Sequence, residues 1–141
     1  MQSHGASYYR PDHLGTDGHD FYVAYNLAKT HVGFRTDDIF AVTRWLKKQD
    51  FCAGVELYAL SEACVPALHA AVLDKDAFKH VTLEKCLVSW TNTIENGEFS
   101  RTPLTSTVHG ALCVYDLPEM RAYLEKNGKL TVKSLKDALE K

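Results

Sequence analysis

"GVELYALSEACVPALHAAVL", residues 54–73, decides how this chain of 141 residues folds. Residues 54–60 form an apolar, strand-like run interrupted by Glu56. Residues 62–73 read as a helix. Ala63, Ala67, Ala70 and Ala71 give it a small surface that can lie close to a sheet. Pro66 is tolerable because it falls near the first turn, where a missing N–H breaks no hydrogen bond. Between strand and helix stands Ser61, either an exposed nucleophile or a cap, since serine is among the preferred N-cap residues.

Working outward, the pattern predicts a helix over 37–48. Thr36 would cap it, Asp37 and Asp38 suit the positive end of its dipole, and Lys47 and Lys48 suit the other. Ile39, Val42, Trp45 and Leu46 share one face, and Trp45 reads as core. "FYVAYNLAK" (21–29) is a short helix or strand, and residues 1–20 read as a loop or loosely docked arm. Downstream, "FKHVTLE" (78–84) is a second strand and 92–107 a long, turn-rich loop. Residues 116–126 form a helix with Asp116 as cap, Pro118 in the first turn and Asn127-Gly128 as the stop. "KLTVK" (129–133) reads as a third strand or as the start of a terminal amphipathic helix with Val132, Leu135 and Leu139 on one face. Propensity slightly favours the helix. Strands alternating with helices imply an α/β fold with a parallel sheet and right-handed crossovers. The division expected is an arm, 1–20, and one domain, 21–141.

The net charge is -2 with a pI near 6.4, and no basic stripe appears, so nucleic acid is not an expected partner. No apolar stretch approaches the ~20 residues of a membrane span. The opening "MQSHGASYYRPDH" lacks a basic segment followed by an apolar one, so no signal peptide is expected. The expected location is cytoplasmic as the chain stands, with a secreted or periplasmic one open if a leader lies upstream. Cys52, Cys64, Cys86 and Cys113 make no CxxC pair and sit in apolar settings, so they read as buried, reduced thiols. No cofactor is expected.

The order "AVTRWLKK" (41–48), "GVELYAL", "SEA", "CVPALHAAVL", with the later "RTPLTSTV" (101–108) and "HGALCVYDLPEMRAYL" (109–124), resembles the α/β-hydrolase superfamily. The resemblance is to the carboxy-terminal half of acetyl-xylan-esterase-like and dienelactone-hydrolase-like proteins, and it covers roughly residues 20–137. It implies a partial three-layer sandwich with a small parallel sheet, acting on acetyl or carbohydrate esters. Ser61 matches the nucleophile of the G-x-S-x-G elbow, written here Ala59-Leu60-Ser61-Glu62-Ala63 with both glycines replaced by alanine. The Glu62 N–H would donate to the oxyanion, while its carboxylate, if turned inward, would oppose that charge. Asp137 falls at the position of the acid. The family's histidine should follow the acid, and none lies between Asp137 and Lys141. His109 is the best internal substitute base. The resemblance thus implies a segment or remnant of an ester hydrolase with an incomplete triad, inactive in isolation.

The other candidates belong to other classes. His69 lies two turns down the helix from Ser61 and reads as a packing residue, and His80 lies on or beside a strand. Asp12, His13, Asp17, His19 and Asp20 are of the types that ligate zinc, the basis of a metal-binding alternative. Trp45 and Tyr8-Tyr9 are of the type that stacks on sugars. A further alternative is a non-catalytic α/β module that binds a protein partner through an exposed sheet edge, as a homo-oligomer or as part of a longer chain.

Overall fold

The computed structural model describes residues 18–96 and 104–136. They build a mixed α/β unit around small parallel sheets. Strand β1 (Glu56–Leu60) leads through a single 3-10 turn (Ser61–Ala63) into α3 (Cys64–Leu73), and β2 (His80–Glu84) returns parallel to β1. The register pairs Leu57 with Val81 and Ala59 with Leu83. Alternation of side chains therefore sends Ala59, Val81 and Leu83 to one face, where all three are buried. Tyr58, Leu60, Thr82 and Glu84 go to the other face. Two helices precede β1, α1 (Gly18–Asn26) and α2 (His31–Lys47).

After β2 the chain forms β3 (Cys86–Leu87), α4 (Trp90–Glu95), α5 (Leu117–Lys126), β4 (Leu130–Val132) and β5 (Leu135–Lys136). Strand β4 lies parallel to β2, giving the order β1-β2-β4, and β3 pairs with β5 in a second, two-stranded parallel sheet. Helices α3 and α5 cover the buried face of the larger sheet. Its other face carries exposed Tyr58, Leu60, Thr131 and Lys133. Tyr58 donates to the Glu84 carboxylate there, and Lys133 Nζ lies 3.3 Å from the Tyr58 hydroxyl and 3.8 Å from Glu84. Polar pairing of this kind, with His80 Nε2 2.8 Å from Thr131 Oγ1, is what keeps an open sheet face wettable.

Helix α3 is the centre of the core. Every residue from Cys64 to Ala71 is buried, and Leu68, Val65 and the alanines interlock with Leu83, Val81, Leu117 and Leu124. Helix α5 begins as its sequence dictates: Asp116 and Glu119 form a capping box, Pro118 sits in the first turn, and Gly128 at φ 66 follows the end. The Asp116 carboxylate also receives the N–H groups of Trp90 at 2.9 Å and Thr91 at 3.1 Å, so it serves the start of α4 as well. Burial alone would raise this carboxyl, but the N–H groups of Trp90, Leu117 and Thr91 outweigh it and hold it below the usual carboxylate range.

Several expectations are corrected. Helix α2 starts at His31, capped by Thr30, whose side chain accepts the Gly33 N–H at 2.9 Å. Thr36 lies inside that helix, buried, with its hydroxyl on the Val32 carbonyl at 2.8 Å. Trp45 is 59% exposed rather than core, and Val42 on the same face is exposed as well. Residues 92–95 of the expected loop belong to α4, and residues 18–26 form α1 where an arm was expected up to residue 20. Residues 130–132 and 135–136 are strands, not parts of a helix. Pairing with β2 and β3 supplies hydrogen bonds that overrule the helical preference of the segment. Among the thiols, Cys64 and Cys86 are buried, but Cys52 is half-buried and Cys113 exposed. Among the described residues no helix is long and apolar enough to cross a membrane.

Candidate functional site

Ser61 stands at the carboxyl end of β1, on the residue that turns the chain into α3. Its φ is 55, in the left-handed region that non-glycine residues seldom occupy. Holding a serine there costs on the order of 1 kcal/mol or more, which the flanking strand and helix must sustain. The result is a half-buried side chain presented at the end of a parallel strand, immediately before a helix. A simple N-cap does not need this backbone: Thr30, Ser89 and Asp116 cap their helices from extended conformations. Nor does Ser61 hold a cap position: the residues at the N-caps of the 3-10 turn and of α3 are Leu60 and Ala63. Glu62 and Ala63 follow as exposed residues. The Glu62 N–H belongs to the first turn after the bend, where the helix dipole favours negative charge.

The candidate bases lie elsewhere. The His109 ring sits against α1, with ring centroids 5.1 Å from Phe21 and 4.8 Å from Tyr25. It borders a cavity of about 670 Å³ that Tyr25, Lys29 and Thr30 also line. No hydrogen bond joins it to Ser61 among the described residues. His69 is occupied. Its Nδ1 lies 2.7 Å from the Val65 carbonyl, which can only accept, so this nitrogen carries the proton. Its Nε2 is then the acceptor for the Tyr115 hydroxyl at 3.0 Å. Burial pushes the His69 imidazole below its usual value, while the bond to Val65 works the other way. Burial also raises the Tyr115 hydroxyl. With Trp90 these side chains form an aromatic cluster inside the core. Sequence reading found His69 but not Tyr115, because the two meet only in three dimensions.

Compared with family models, curated proteins and solved structures, the chain matches none. Asp137 lies outside the described residues, as do Asp12, His13 and Asp17, and the side chains of His19 and Asp20 are likewise outside them. Among the described residues no group of His, Cys, Asp and Glu side chains is arranged to hold a metal ion. A second cavity, of about 660 Å³, runs between α2 and β1 and is walled by Ile39, Val42, Leu46, Val55, Leu57 and Phe78. Cys64 and Cys86, read from the sequence as buried thiols, are buried, with Cys64 Sγ 3.3 Å from the Glu84 carbonyl and Cys86 Sγ 3.6 Å from the Leu87 carbonyl, which also accepts from Arg121.

Proposed function

We propose that this chain is an ester-hydrolase-type α/β unit, a partial hydrolase-like sandwich in which Ser61 occupies the nucleophile position. One observation carries the reading: a serine with φ 55 between a parallel strand and the helix that follows it. That is the strained strand-to-helix turn an acyl-transfer nucleophile uses to expose its hydroxyl. The substrate class is a carboxylic ester, acetyl or carbohydrate-linked. The serine hydroxyl would attack the ester carbonyl, and the Glu62 N–H would stabilise the oxyanion. Attack also needs a base within about 2.6–3.2 Å of the hydroxyl, and neither His69 nor His109 supplies it in this arrangement. The unit is therefore poor at turnover by itself. A general base typically contributes ~10²–10⁴-fold.

The test separates the position from the activity. The chain and its Ser61→Ala variant are assayed with p-nitrophenyl acetate, expecting equal rates. Both are then treated with a fluorophosphonate, with and without added imidazole as a surrogate base, and modified peptides are mapped. The proposal expects modification at Ser61 that rises with imidazole and vanishes in Ser61→Ala. Absence of modification in both proteins with imidazole present would reject it. A second reading, a non-catalytic module that binds a protein partner, draws on the open face of the sheet bearing Tyr58 and Leu60.

A further inference from the structure

The helix layer of this fold is wider than the sheet beneath it. Helix α2 packs on α3, α3 lies over β1 and β2, and α5 lies over β4. Packed helices stand about 8–10 Å apart, and paired strands only about 4.7–4.9 Å. Three helices side by side therefore outreach three strands, and α2 overhangs the outer edge of β1, where the order β1-β2-β4 ends. The cavity of about 660 Å³ is the space under that overhang. Its wall comes from Ile39, Val42 and Leu46 of α2 and from Val55 and Leu57 at and before β1. An apolar helix face thus stands above a place where the sheet has no strand.

The edge of β1 offers the hydrogen bonds that a strand in that place would need. The Val55 carbonyl accepts the Lys79 N–H at 2.8 Å, on the side of β1 that faces β2. Backbone groups alternate in direction along a strand, so those of Glu56 and Tyr58 point to the outer edge. Exposed edges are commonly blocked by proline, by lysine or by a bulge, and the run Glu56–Leu60, ELYAL, holds no proline or lysine and pairs with β2 in unbroken register. The side chains agree. Leu57 turns toward the helices, while Glu56 and Tyr58 turn to the open face of the sheet. On that face Glu84 has Lys133 beside it, but Glu56 makes no ion pair among the described residues. A second copy of the chain is a poor occupant. By adding its own β1 it would bring its own α2 over the same gap, where one helix already stands.

We propose that this groove takes an extended peptide segment of a partner protein, which adds to the outer edge of β1 as a fourth strand beneath α2. Main-chain hydrogen bonds to Glu56 and Tyr58 hold the segment. Its apolar side chains, at alternate positions, enter the groove against Ile39, Val42 and Leu46. The side chains between them share the open face with Tyr58, and the one opposite Glu56 is basic, since opposite charges paired across a ladder are favourable. The inference does not depend on Ser61 being a nucleophile.

The experiment selects random linear peptides displayed on phage against the intact chain. The Val42→Arg variant serves as the comparison, because Val42 is 58% exposed and the substitution places a charge in the groove without emptying the core. Selected peptides are then synthesised and their affinities measured by fluorescence anisotropy. The expected peptides carry apolar residues at alternate positions with lysine or arginine between them, and they bind Val42→Arg about tenfold or more weakly, a difference of about 1.4 kcal/mol. A second measurement leaves the protein unaltered. N-methylation of alternate peptide nitrogens should abolish binding in one phase of the alternation and spare it in the other. Amide exchange at Tyr58 should slow when peptide is bound. The proposal is overturned if no alternating pattern is selected, if the peptides bind Val42→Arg as tightly, or if both phases of methylation act alike. It is also overturned if sedimentation shows the chain alone to be a stable dimer with the Tyr58 amide already protected, which would make a second copy the occupant.

Discussion

Helices α2 and α3 pack against each other, yet they reach stability by opposite routes. Along α2, His31–Lys47, only Val32, Thr36 and Thr43 are buried, and Val42 and Trp45 face outward. Along α3, every residue from Cys64 to Ala71 is buried. The difference lies in what surrounds them. Helix α3 has the sheet beneath it, α2 on one side and α5 on another, so an apolar surface all round finds neighbours in every direction. Helix α2 rests chiefly on α3 and relies more on its own ends: the Thr30 cap, and Arg44 and Lys47 in the last turn against the negative end of its dipole. A conspicuous apolar stripe is thus no proof of burial, and a helix of small residues can be the most buried part of a domain.

The contrast can be broken by truncation. Leu68 is fully buried among α3, the sheet and α5. Leu68→Ala should destabilise the fold by about 3–5 kcal/mol, the upper range for a leucine cavity that its neighbours cannot fill. Urea unfolding followed by circular dichroism measures this. A smaller loss would mean that α3 can shift to close the gap. Acidification probes the same helix more gently. Because burial depresses the folded imidazole of His69, the folded state resists its protonation. The unfolded histidine binds its proton near pH 6.5, so stability should hold above that pH and fall as the pH drops below it. Unfolding midpoints between pH 8 and pH 5 check this, and His69→Gln should remove that part of the decline. The smallest effect is expected on α2. Trp45→Ser removes a large side chain, yet its exposure predicts a change within about 0.5 kcal/mol. A loss of several kcal/mol would show that the tryptophan face of α2 is covered in solution.

The core of the fold was legible where local pattern and tertiary fate agree. The apolar run ending at Ser61, the alanine-rich helix after it and the strand near 80 all formed, in parallel pairing. The Asp116 cap was legible because a capping box is written within four residues. Other features depend on partners distant in the chain. Thr30 and Thr36 are equally good caps in sequence, and only packing against α3 makes residues 31–36 helical and buries Thr36. Residues 130–136 favour a helix locally, but β2 and β3 offer unpaired backbone that strands can use. At the candidate site, the turn at Ser61 was anticipated from the pattern around it. The placement of His109 on the aromatic residues of α1 was not, because nothing near residue 109 records where α1 will lie.

The carboxylate of Asp116 has a consequence for how the molecule comes apart. Its two oxygens hold the first N–H groups of α4 and of α5, elements separated by some twenty residues of chain. Neither helix can fray from its beginning without disturbing an acceptor that the other shares. The two starts behave as one latch. Thermal motion that releases one lowers the cost of releasing the other, so this half of the protein loosens in a single step rather than helix by helix.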